Sequence, residues 1–139
     1  MNLRRLALYA TWLSLAWAFL LTGLAAAGSS WVLDRVALGH YRTTGLPLWL
    51  RALYGVVSLL MLAVAWLANR YAVNDVTPRQ RNLGRLVELC FLVSALLNAT
   101  SSSHPERYNA IGAVVTVIGV EVLRRRPKSD YVDLRLRRY

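Results

Sequence analysis

Cysteine is almost missing from this chain. Cys90 is the only one, so no internal disulfide can form, and mid-run in an apolar segment its thiol is expected to be a small buried hydrophobe. Two histidines, His40 and His104, fall short of a standard zinc or iron–sulfur site. Neither lies inside an apolar run, so haem ligation from within a helix is not expected either. Gly-rich phosphate loops, G-x-S-x-G, H-E-x-x-H and Cys-x-x-Cys are all absent. Acidic residues are scarce as well, 7 against 17 basic. The expectation is a protein with no cofactor, no metal and no catalytic residues.

What is present pulls in two directions. Hydrophobic residues make up 56% of 139 and mean hydropathy is +0.36, yet the formal net charge is +10. A soluble globule of this size does not combine those values. They agree once apolar residues are gathered into membrane spans and charges into the segments between them. A nucleic-acid binder of similar charge would line one folded face with basic residues. Here they flank long apolar runs, so no nucleic-acid partner is expected.

The runs predict an all-α membrane bundle of four transmembrane helices, at about 6–27, 48–68, 83–99 and 108–123, within a domain 1–126. The first run is longer than the roughly 7–15 apolar residues of a secretory signal. It is expected to stay as a span of ~33 Å. The fourth is short, ~24 Å. It must thin the bilayer, borrow its flanks or be shielded by other helices. Residues 28–47 form a loop with a short amphipathic piece, Trp31 to Leu38, and Trp31, Tyr41 and Trp49 suit a membrane interface. Arg51 is expected to snorkel outward from the start of the second span. Thr77 and Pro78 read as the N-cap and first residue of the third helix.

Small residues mark candidate packing faces, which matter because helices associate in lipid through close packing. In the first helix Ala10, Ser14, Ala18, Thr22 and Ala26 recur every four residues. In the second, Ala52, Gly55 and Ser58 recur every three, and the fourth has Gly112, Thr116 and Gly119. The third helix holds a polar cluster of Arg81, Arg85, Glu88 and Asn98. Glu88 lies at shallow depth, where its expected ion-pair partner is Arg85 or Arg81. Glu121, at the end of the fourth run, has Arg124 and Arg125 in reach.

Charge sets the expected orientation. Thirteen of the seventeen basic residues fall at the N-terminus, in the middle connection and in the tail, all on one side of a four-span protein. Both termini are therefore expected in the cytoplasm, in a bacterial inner membrane. In the tail, 127–139, Val132, Leu134 and Leu136 alternate with charge, a strand-like period. With Tyr131 and Tyr139, this basic segment is expected to dock on a partner.

These features suit a non-catalytic accessory subunit of a larger inner-membrane complex, of respiratory or photosynthetic type among others. It would touch other membrane subunits and anionic phospholipids. The alternative is a small homo-oligomeric transporter or flippase using Glu88, because intramembrane ionisable groups are functional by default. A holin-like pore former ranks below both, since no polar stripe runs the length of any helix.

Overall fold

A computed structural model describes residues 3–37, 40–73 and 76–125. The tail residues Tyr131, Val132, Leu134, Leu136 and Tyr139 lie outside the described residues. Four helices make up the fold: α1 Leu3–Ala27, α2 Leu48–Val73, α3 Pro78–Ala99 and α4 His104–Arg124, with a 3₁₀ turn Ser30–Val32 after α1. No strand occurs among the described residues. The expected amphipathic piece after α1 is thus only this turn and the bends beyond it.

Three helices are long and apolar enough to cross a membrane. These are α1, α2 and α3, of 25, 26 and 22 residues. They mark the chain as a membrane protein. α4 does not reach that level. Glu106, Arg107, Glu121 and Arg124 all fall within its bounds. Its uncharged stretch, 108–120, covers only ~20 Å of a ~30 Å hydrocarbon core.

Several helix ends are closed by a specific device. At the N-terminus of α3, Thr77 and Gln80 form a reciprocal capping box with Pro78 in the first turn, which satisfies two orphan N–H groups at once. α1 stops at Gly28, which holds φ +78°. The Gly28 N–H donates to Ala25 O at 3.0 Å and the Ser29 N–H to Leu24 O at 2.9 Å, a Schellman ending that needs the left-handed conformation. Arg51 does not snorkel away. Its Nε and Nη2 donate to the Ala26 and Ala27 carbonyls at 3.1 and 3.0 Å. Arg4 does the same for two helices together, donating from Nη2 to Tyr71 O at 2.7 Å and Leu123 O at 3.0 Å. Cations at helix C-termini meet both unpaired carbonyls and the negative end of the dipole.

The helices are arranged as an arc, α2–α1–α4–α3. α1 packs along both α2 and α4, and α3 packs along α4, whereas α2 and α3 do not pack along each other. The five small residues of α1 are half-buried, and a neighbouring line, Ala7, Thr11, Leu15, Leu21 and Ala25, is the buried one. A four-residue repeat drifts by roughly 40° per step around a helix of 3.6 residues per turn. The stripe therefore serves two neighbours. Ser14 Oγ donates to Gly112 O of α4 at 2.5 Å. Ala26 lies beside Gly55 of α2.

The tightest crossing is between α1 and α4 at Gly119. A Cβ there would fall 1.9 Å from Thr11 Oγ1 and 3.2 Å from Ala7 O. Thr11 is fully buried and already bonded to the Ala7 carbonyl at 2.8 Å, so it has little room to yield. Gly119→Ala should therefore destabilise the protein by about 1–3 kcal/mol, the usual cost of overpacking, as read by unfolding in detergent. Adding Thr11→Ala should return part of the loss. A neutral Gly119→Ala would refute this crossing.

Candidate functional site

The arc has two polar ends with a cavity between them. One end gathers the start of α1, the end of α2, the start of α3 and the end of α4. There Arg124 bridges two carboxylates. Its Nε reaches Glu88 Oε1 at 3.2 Å and its Nη2 reaches Glu88 Oε2 at 3.3 Å, a two-pronged pair, while Nη2 also meets Glu121 Oε2. Arg125 Nε donates to Glu121 Oε1 at 2.6 Å. Glu88 and Arg124 are each only 14% exposed in the side chain.

This corrects the expected pairing. Glu88 meets Arg124 of α4, while Arg81 and Arg85, on its own helix, are exposed. Spacing along α3 identified neighbours on one face but not which face meets α4. Beside this cluster the Tyr71 hydroxyl donates to Gln80 O, and Gly84 leaves room for it, since a Cβ there would lie 2.7 Å from that hydroxyl.

The other end holds a network that sequence reading missed. Ser101, Ser103 and Glu106, in the polar segment between the third and fourth apolar runs, are all buried. Ser101 Oγ donates to Glu106 Oε2 at 2.7 Å, and the Ser103 N–H donates to Ser101 Oγ at 3.0 Å. Arg107 Nε donates to Ser101 O at 2.7 Å, and Arg42 Nη2 to Ser103 Oγ at 3.2 Å. Ser103 Oγ also donates to Asp34 O. Asn109 ties α4 to α1 and its loop, donating to Arg35 O at 2.9 Å and accepting from Trp17 Nε1 at 3.3 Å. Arg35 pairs with Asp34 at 2.5 Å and stacks 4.2 Å from the Trp31 ring. One signal was available: Ser103-x-x-Glu106 has capping-box spacing. Ser103 is indeed the N-cap, though no side-chain cap bond forms: its hydroxyl is engaged with Asp34 O and Arg42, and Glu106 turns to Ser101.

Between these ends lies a cavity of about 440 Å³, mostly apolar. α1 contributes Ser14, Trp17 and Leu21; α2 contributes Tyr54 and Val57; α3 contributes Cys90, Phe91, Ser94 and Asn98; α4 contributes Glu106, Asn109 and Ala113. Since α2 and α3 form the two tips of the arc, the cavity lies behind the gap between them. Asn98 Nδ2 donates to the Ser94 carbonyl and hydroxyl at 2.8 and 3.2 Å. Glu88 is not part of the wall. Cys90, expected to be buried, is exposed, because α3 buries only Gly84 and Ala95.

The remaining sequence candidates fall on helix contacts. Thr116 Oγ1 donates to Ser14 Oγ at 3.0 Å. Ser58 is buried with its hydroxyl 3.5 Å from Phe19 O, and Thr22 bonds back to its own helix at Ala18 O, 2.8 Å. His40 and His104 are both exposed, with His40 Nδ1 3.1 Å from Ala37 O. Among the described residues no group of three or more His, Cys, Asp or Glu side chains is placed to hold a metal ion.

Because Arg124 serves two carboxylates, Arg124→Gln should destabilise the protein more than Glu88→Gln, by about 1–3 kcal/mol against less than that. A double-mutant cycle between the two should show coupling. Additive losses would mean that the bridge contributes nothing to stability.

Comparison with known proteins finds no matching family, no matching curated protein and no matching solved structure.

Proposed function

We propose that this chain is a four-span, non-catalytic accessory subunit of a larger complex in a bacterial cytoplasmic membrane, with both termini in the cytoplasm. The observation that carries the reading is the position of α3, which packs along α4 and otherwise turns Leu86, Leu89, Leu92, Leu96 and Leu97 outward. Lipid can cover such a face, but a second helix from another subunit would complete its packing. α4 crosses the bilayer in this reading because α1 and α3 shield it, its small face of Gly112, Thr116 and Gly119 lying against α1.

The basic residues support the orientation. Arg4, Arg5, Arg70, Arg79, Arg81, Arg85, Arg124 and Arg125 all belong to the end that carries the Glu88–Arg124 bridge, as the positive-inside rule asks of a cytoplasmic face. Anionic phospholipids would add about 1 kcal/mol per nearby basic residue there. The tail residues Tyr131, Val132, Leu134, Leu136 and Tyr139 would extend the same face toward a soluble or peripheral partner.

A transporter or flippase is the second reading, favoured by Ser94 and Asn98 facing the cavity. Its proposed proton-carrying group is Glu88, which is bonded to Arg124 and stands outside that wall. Purification from native membranes in mild detergent, with mass spectrometry, separates the two. An accessory subunit should carry partner polypeptides at fixed stoichiometry, whereas migration as a lone monomer or homodimer would end that reading. In reconstituted vesicles Glu88→Gln should leave any solute flux unchanged. Its abolition would install the transport reading instead.

A further inference from the structure

The cavity behind the α2–α3 gap has a size and polarity that a packing role does not require. A transmembrane helix is ~10 Å wide and ~30 Å long, roughly 2,000 Å³, far more than the 440 Å³ available. That volume falls instead within the usual range for small-molecule sites, about 300–1,000 Å³. The cavity therefore does not enclose a whole partner helix.

The lining is mixed along the bundle. Toward the middle of the helices the wall is Ser14, Val57, Cys90, Phe91 and Ala113. Toward the end with the Ser101–Glu106 network most of the polar groups gather, Tyr54, Ser94, Asn98 and Asn109, interleaved with Leu21 and Leu97. The two charged groups at that end are already engaged. Arg35 is paired with Asp34 at 2.5 Å, and Glu106 accepts from Ser101 at 2.7 Å. Asn109 and the Asn98 amide nitrogen are engaged too, so the groups that remain to meet a ligand are the Ser94 hydroxyl hydrogen and Asn98 Oδ1. A ligand bearing a full charge would lose its hydration there without gaining a counter-ion, which is costly. An uncharged head that accepts or donates hydrogen bonds meets no such penalty.

We propose that this cavity binds an uncharged lipid amphiphile, with a carbonyl- or hydroxyl-bearing head among Tyr54, Ser94 and Asn98 and its chain leaving between α2 and α3. This goes beyond the accessory-subunit reading and stands independently of it. A prenylated quinone and an acylglycerol share that chemistry, so both belong in the test.

The lone cysteine is a built-in reporter, because Cys90 lines the cavity and is exposed. The full chain, in phosphatidylcholine nanodiscs, is titrated with photoactivatable forms of a prenylated benzoquinone, a monoacylglycerol and a fatty-acid anion. Alkylation of Cys90 by N-ethylmaleimide and the cross-linked peptide are followed by mass spectrometry. One neutral probe or both should slow Cys90 alkylation saturably and cross-link to 90–98, and the one that binds more tightly names the source. Asn98→Leu, which removes head contacts, and Ala113→Phe, which fills the floor, should each weaken binding by about tenfold or more. Should Ala113→Phe fail to fold, the half-buried Asn98 position carries the test alone. Equal protection by the fatty-acid anion, unsaturable labelling spread over the outward faces, or full binding by Asn98→Leu would each overturn the proposal.

Discussion

A helix that ends in or near lipid leaves four carbonyls without partners, and in a medium poor in water each must find a donor. The whole bundle is organised around that requirement. Arg4, reaching from the first turn of α1, donates to the last turns of both α2 and α4. Arg51 answers from the first turn of α2 by donating to the last two residues of α1. Long side chains at helix starts therefore close neighbouring helix ends. Because each guanidinium is shared between helices, it also fixes their relative height. Gly28 is small for the same reason, since a Cβ there would approach Arg51 Cζ to 2.7 Å, while Gly84 makes room for the Tyr71 hydroxyl, 2.7 Å from where its Cβ would stand.

With the ends fixed, the interior follows from close approach. Thr11 against Gly119 and Ser14 against Gly112 and Thr116 draw α4 onto α1. α4 is thereby a polar-ended helix held by neighbours and not by its own hydropathy. The Glu88–Arg124–Glu121 bridge then carries α3 on the outer side of α4. The arc does not close. The opening that results between α2 and α3 is where both the proposed ligand cavity and the outward leucine face of α3 arise, from one packing decision.

The sequence made the helices themselves legible, because an apolar run and a cap are local signals. Thr77 and Pro78 open α3 as their chemistry predicts, and Arg124 and Arg125 meet Glu121 at the expected spacings. Pairing between helices was not legible. Arg85 is a helical neighbour of Glu88, but rotation of α3 against α4 gives the carboxylate to Arg124. Arg51 looked like a snorkelling residue because nothing in its own helix reveals the open carbonyls of α1. Glu106 was hidden for a similar reason: a Ser-rich turn reads as wet until α4 is seen folding it beneath the α1–α2 loop. Cys90 was placed in a core that the outlying position of α3 does not form. The four-residue stripe of α1 was real as a pattern and drifted as a surface.

In the four-span arrangement we propose, α4 crosses the bilayer, so that the Ser101–Glu106 network and the Glu88–Arg124 bridge would lie on opposite faces of the membrane. Two exposed positions flank it, Ser102 and Arg125. In a Cys90→Ser background, Ser102→Cys and Arg125→Cys would be labelled singly in cells with a membrane-impermeant maleimide. Residue 102 should react in intact cells and residue 125 only after permeabilisation. Labelling of both from the same side would contradict the four-span bundle directly.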